Sequence, residues 1–189
     1  MQRFYQVLFT VCLMALSWFA MMALHELGHV VGAVITGGSI QRVVLYPLAI
    51  SRTDVLPNPH PSTVVWLGPI VGCALPLATM VGFSHRNGIP RIVAQFFAGF
   101  CLIANGAYIS IGWIDEVGDC GEMLRTGTPI WAMLGFGSVT ILPGLYLWHR
   151  LGSIKHFIDQ PSMVTRRMAY SAASALLLLV LVGFALSPR

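Results

Sequence analysis

The chain has 189 residues, of which 56% are hydrophobic and only 10% charged, with a formal net charge of +4. Soluble domains carry about 25% charged residues, so this composition excludes a water-soluble fold and predicts an all-α integral membrane protein surrounded by lipid bilayer. Its positive charges are scattered over short connections and form no basic patch, which excludes nucleic acid as a partner.

The first predicted element is a helix from about Phe4 to Ile35. It is longer than the roughly 20 residues that one span needs, so it tilts or projects from the bilayer. Arg3 followed by an apolar run has the look of a signal peptide. The run nevertheless continues past any cleavage point and carries the polar sequence His25-Glu26-Leu27-Gly28-His29, so the segment is expected to be retained. Gly37-Gly38 ends the helix. Residues 38–61 alternate in character around Ile40, Val43-Val44-Leu45 and Leu48-Ala49-Ile50, which predicts a short β-hairpin before the stiff turn Pro57-Asn58-Pro59-His60-Pro61.

A second span is expected from about Thr63 to Phe83, with Gly68-Pro69 and Pro76 inside it, followed by a basic loop from His85 to Arg91. Gly68-Pro69 reads equally as a simple kink or as an opening in the helix. The third span, about Ile92 to Ile114, carries Asn105, and an acidic segment from Asp115 to Glu122 follows it. Further spans are expected at about 129–148 and 168–186, separated by a basic loop from His149 to Arg167. With five spans and no internal repeat, residues 1–189 form one polytopic domain. Cys12, Cys73, Cys101 and Cys120 show no C-x-x-C spacing and read as small buried hydrophobes.

Chemistry concentrates in His25-Glu26-Leu27-Gly28-His29. Residues four apart share one helix face, so the two imidazoles can converge on one point. With 6 His and three Glu in the chain, the H-E-x-x-H pattern is expected by chance only about 0.003 times. In that pattern the His pair binds zinc and the Glu acts as general base. Catalytic zinc takes three protein ligands and leaves a position for water. Span parity brings the acidic segment to the same side as the motif, so a carboxylate from 115–122 can supply the third ligand. Asp119, between Gly118 and Cys120-Gly121, is the expected donor, Asp115 is the alternative, and Glu116 and Glu122 read as solvated or helix-end charges. Asp119 also reads as the N-cap of a short helix through Leu124, a use that competes for the same oxygens. His29 lies about 12 Å below the Gly37 end of its helix at helical rise, so the segment after the third span must be unwound or re-entrant. Asn105 has two readings, a hydrogen bond across helices or a substrate-binding group that holds an extended peptide.

Taken together, these residues resemble the site-2 protease family of intramembrane zinc metalloproteases. The resemblance rests on His25-Glu26-Leu27-Gly28-His29, on Leu67-Gly68-Pro69 in the next span, on Asn105 and on Gly118-Asp119, and covers a three-helix core of roughly residues 10–125. It implies that His25, His29 and Asp119 bind Zn2+, that Glu26 is the catalytic base, and that the substrate is a membrane protein cut in or near its transmembrane helix. Cys120 stands where the family pattern has Gly after the Asp, and no Pro lies between Asn105 and Asp119. The chain therefore resembles a compact, divergent, bacterial-type branch, located in a cell membrane and open to control by a membrane partner. The basic residues divide seven to four between the two sides, which turns the N-terminus to the cytoplasm. The family's usual site faces the cytosol, so the two orientations conflict and both stay open. Two other functions compete with the peptidase. One is a non-catalytic metal-binding or partner-binding protein, and the other a metal or proton transporter.

Overall fold

The computed structural model describes residues 2–46, 51–152 and 164–186. Among them, six helices and a two-stranded hairpin follow in chain order: α1 (Gln2–Thr36), β1 (Ile40–Val44), β2 (Arg52–Val55), α2 (Pro61–Gly82), α3 (Ile89–Ile111), α4 (Gly118–Arg125), α5 (Ile130–His149) and α6 (Arg166–Leu186). All of these helices except α4 are long and apolar enough to cross a membrane. Their bounds lie within about three residues of the predicted spans. Leu48-Ala49-Ile50 lies outside the described residues. The second strand is the neighbouring Arg52–Val55, whose Arg-Thr-Asp run gives little apolar alternation.

The helices start and stop where backbone chemistry directs. Proline opens α2 and α3, where its missing N–H would have had no helical partner. Gly37 ends α1 at φ +74, a left-handed conformation that costs glycine nothing. The Gly38 N–H then closes back on the Ala33 carbonyl at 2.8 Å, which satisfies one of the helix's terminal acceptors.

The spans pack as successive pairs: α6 on α1, α1 on α2, α2 on α3, and α3 on α5. Small residues let the backbones approach. A Cβ on Gly28 would run into the Leu67 carbonyl, and one on Gly32 would sit 2.9 Å from Val64 Cα. The α3–α5 seam is built alike, with Gly106 against Thr140 and Gly137 against Ser110. Large apolar side chains such as Trp131, Val139 and Leu142 point outward, each more than 60% exposed. Such faces suit hydrocarbon and not water. The four cysteines are buried and free.

Two short elements shape the end of the bundle where α1 finishes. The hairpin pairs β1 with β2 antiparallel, Val43 opposite Thr53 and Val44 opposite Arg52, and lies back along α1. Tyr46, just beyond β1, meets Phe184 of α6 edge-on at 4.9 Å. At the other element, residues after α3 turn sharply, with Glu116 and Gly118 both at positive φ, and enter α4. This eight-residue helix is too short to hold by itself. It is anchored by Cys120 and Met123, fully buried against Val65, Ile109 and Met133. The segment after the third span is thus a sharp turn followed by a short helix.

Candidate metal centre

His25 and His29 sit one turn apart on α1, and both are buried. Each imidazole is held by its Nδ1. His25 Nδ1 lies 2.7 Å from Asn105 Oδ1. The Asn105 amide nitrogen donates to the Cys101 carbonyl at 2.9 Å, so the oxygen is the atom that faces His25. His29 Nδ1 lies 2.9 Å from the Val64 carbonyl oxygen. Both partners are acceptors, so both Nδ1 atoms carry the proton. In the neutral imidazoles the lone pairs are therefore on Nε2.

Both Nε2 atoms point at one carboxylate oxygen. Asp119 Oδ2 is 2.7 Å from His25 Nε2 and 3.3 Å from His29 Nε2, and the ligand atoms of the three residues lie within 4.8 Å of one another. Asp119 stands in the first turn of α4, where the helix dipole favours a carboxylate. Its backbone N–H donates to the Tyr108 hydroxyl at 3.1 Å. It is not the N-cap, a place taken by Val117, so its oxygens are free of capping. Burial by itself would raise the Asp119 pKa, but where the imidazoles carry a second proton their N–H bonds and charge outweigh it and hold the carboxyl well below the usual carboxylate range.

Three electron-pair donors facing one another repel unless a cation lies among them. A proton on His25 Nε2 would bridge the 2.7 Å contact to Asp119, and a metal ion could serve all three donors at once. Two imidazoles and a carboxylate are a donor set that divalent zinc accepts, and the residues present fit such an ion.

Among the remaining predicted residues, Glu26 is buried beside the pair, and its Oε2 accepts a hydrogen bond from Thr53 on β2 at 2.7 Å. Asp115 and Glu116 are exposed, and Glu122 pairs with Arg125 at 3.0 Å. Neither Asp115 nor Glu116 belongs to the cluster. Asn105 is 1% exposed with both ends of its amide engaged. The contact across helices to His25 is present. At Gly68 a Cβ would collide with the His29 ring, so the glycine leaves room for that imidazole. Gly72 leaves room in the same way for Asn105, 3.1 Å from where its Cβ would stand.

Sequence reasoning passed over Tyr108, Thr53 and the Val64 carbonyl. Tyr108 follows Asn105 by three residues and so shares its helix face, a spacing that could have flagged it. Nothing local marks Thr53 or Val64. Comparison with protein-family models, with curated proteins and with solved structures gives no match to this chain.

Proposed function

We propose that this chain is a multi-pass membrane metalloendopeptidase of the site-2 protease type, which hydrolyses a peptide bond in or near the transmembrane helix of another membrane protein. The observation that carries the reading is the convergence of two imidazole Nε2 atoms, each aimed by an acceptor on its Nδ1, on the Asp119 carboxylate, with Glu26 one residue from His25. His25, His29 and Asp119 would hold Zn2+, which when bound acts as a Lewis acid and lowers the pKa of a coordinated water to about 7.

The chain's own residues supply the rest. Asn105 and Val64 keep both imidazoles in the tautomer that presents Nε2. Asp119 contributes a negative charge that offsets part of the cation's. Glu26 takes the proton from the attacking water and returns it to the leaving amine nitrogen. The substrate helix has to unwind locally first, because its own hydrogen bonds shield the scissile carbonyl.

Reconstituted protein is expected to cleave a single-span model substrate, to stop in the presence of a strong chelator, and to recover when Zn2+ is restored. Cleavage that continues undiminished through chelation would sink the reading. Metal-dependent uptake into proteoliposomes without any cleavage would point to transport instead. Replacing Asn105 by Ala is expected to weaken metal affinity about 10–100-fold, measured by competition with a chromophoric chelator. An unchanged affinity would mean that the His25 tautomer needs no help from Asn105.

A further inference from the structure

Thr53 is 27 residues from Glu26 in sequence and stands on a strand, yet its hydroxyl lies 2.7 Å from Glu26 Oε2 and 3.5 Å from the Glu26 main-chain oxygen. An ionised carboxylate only accepts hydrogen bonds, so the hydroxyl is the donor. Glu26 is 3% exposed. A carboxylate that far from water needs a donor within reach, and the strand provides one.

The strand is built to hold that hydroxyl in place. Successive residues of β2 alternate faces. Arg52 and Asp54 pair with each other at 3.3 Å on the exposed side, while Thr53 and Val55 face α1. Val55 Cγ1 lies only 2.9 Å from where a Cβ of Gly38 would stand, so β2 is seated directly on the chain that leaves α1. The Leu56 N–H donates to the Ser39 carbonyl at 2.8 Å and the Ser39 N–H to the Pro57 carbonyl at 3.0 Å, which closes the hairpin at its base. The side chain of Glu26 has several rotatable bonds, and α1 by itself sets only where that side chain begins.

We propose that Thr53 is a positioning residue for Glu26: its hydroxyl engages Oε2, directs the carboxylate toward the His25–His29–Asp119 centre, and leaves Oε1 as the oxygen that exchanges protons with the reacting groups. The register of the hairpin thereby sets the aim of the base. This inference rests on the peptidase reading given above.

The test compares kcat and KM of Thr53→Val, which keeps the shape and loses the hydroxyl, with Thr53→Ser, which keeps the hydroxyl. A single-span substrate is used, and metal content and thermal unfolding are read on each variant. Thr53→Val is expected to lower kcat about 10–100-fold, the scale of a hydrogen bond to a charged group. Its KM and metal content should stay near wild type, its unfolding midpoint should fall because the buried carboxylate loses its donor, and Thr53→Ser should retain most of the rate. Three results would overturn the inference: a wild-type kcat in Thr53→Val, an equal loss in Thr53→Ser, or a Thr53→Val that loses metal along with its activity. Glu26→Gln separates this inference from the reading beneath it. An inactive Glu26→Gln beside a fully active Thr53→Val overturns the inference alone. A wild-type protein no faster than Glu26→Gln overturns the peptidase reading and the inference with it.

Discussion

Glu26→Gln is expected to slow peptide cleavage by about 10³-fold, the middle of the range that general acid–base catalysis supplies, while metal content stays at the wild-type level. Gln has the size and shape of Glu, and its amide oxygen can still accept the Thr53 hydroxyl, so the packing beside α1 is kept. What it loses is the ability to take a proton from water and give it up again. Glu26 is also not one of the three residues whose ligand atoms converge, so its loss leaves His25, His29 and Asp119 intact. Single-turnover cleavage of a reconstituted substrate, read with metal analysis on the same preparation, separates the two effects. A variant that loses metal together with activity would move Glu26 from proton transfer to metal binding, and undiminished cleavage would remove it from the mechanism.

The second large effect is loss of the metal itself. His25→Ala, His29→Ala and Asp119→Ala are each expected to reduce bound zinc from about one ion per chain to under about a tenth, because each removes one of three protein ligands. Asp115→Ala is expected to keep it, since that side chain is exposed and outside the cluster. Gly68→Ala removes no ligand, yet it belongs with the losers: its methyl would occupy the place of the His29 ring and swing Nε2 off the shared carboxylate. Metal analysis of the purified set tests all five variants together. Retention in Asp119→Ala with loss in Asp115→Ala would reassign the third ligand, and retention in Gly68→Ala would show that α1 and α2 can part without cost.

Much of this site was legible before any fold was known, and the reasons are local. The helical period puts His25 and His29 on one face wherever the helix lies. Apolar run lengths set by bilayer thickness mark the five long helices, and their parity brings the acidic segment to the same end as the motif. Asp119 could be preferred over Asp115 because glycine flanks it closely on both sides. The hairpin was also legible, although its second strand lies at Arg52–Val55, where Arg52 and Asp54 interrupt the apolar pattern and cross-strand pairing with β1 sets the strand. The form of the segment after the third span was not foreseeable. An eight-residue helix is marginal by its own propensity and exists here because Cys120 and Met123 find a core to enter.

What the sequence determined by itself, then, is the pairing of two imidazoles with a glutamate on one apolar helix, and the set of carboxylates able to approach them. Spacing along a helix and the length of a span are properties of the chain, independent of what it packs against. Only the tertiary structure decided which carboxylate arrives, which nitrogen of each imidazole faces it, and what holds Glu26. Those depend on Asn105 of α3, Val64 and Gly68 of α2, Thr53 of β2 and the burial of α4. Each is remote in sequence from the motif, and hydrogen bonds reach their partners over about 3 Å of space whatever the distance along the chain.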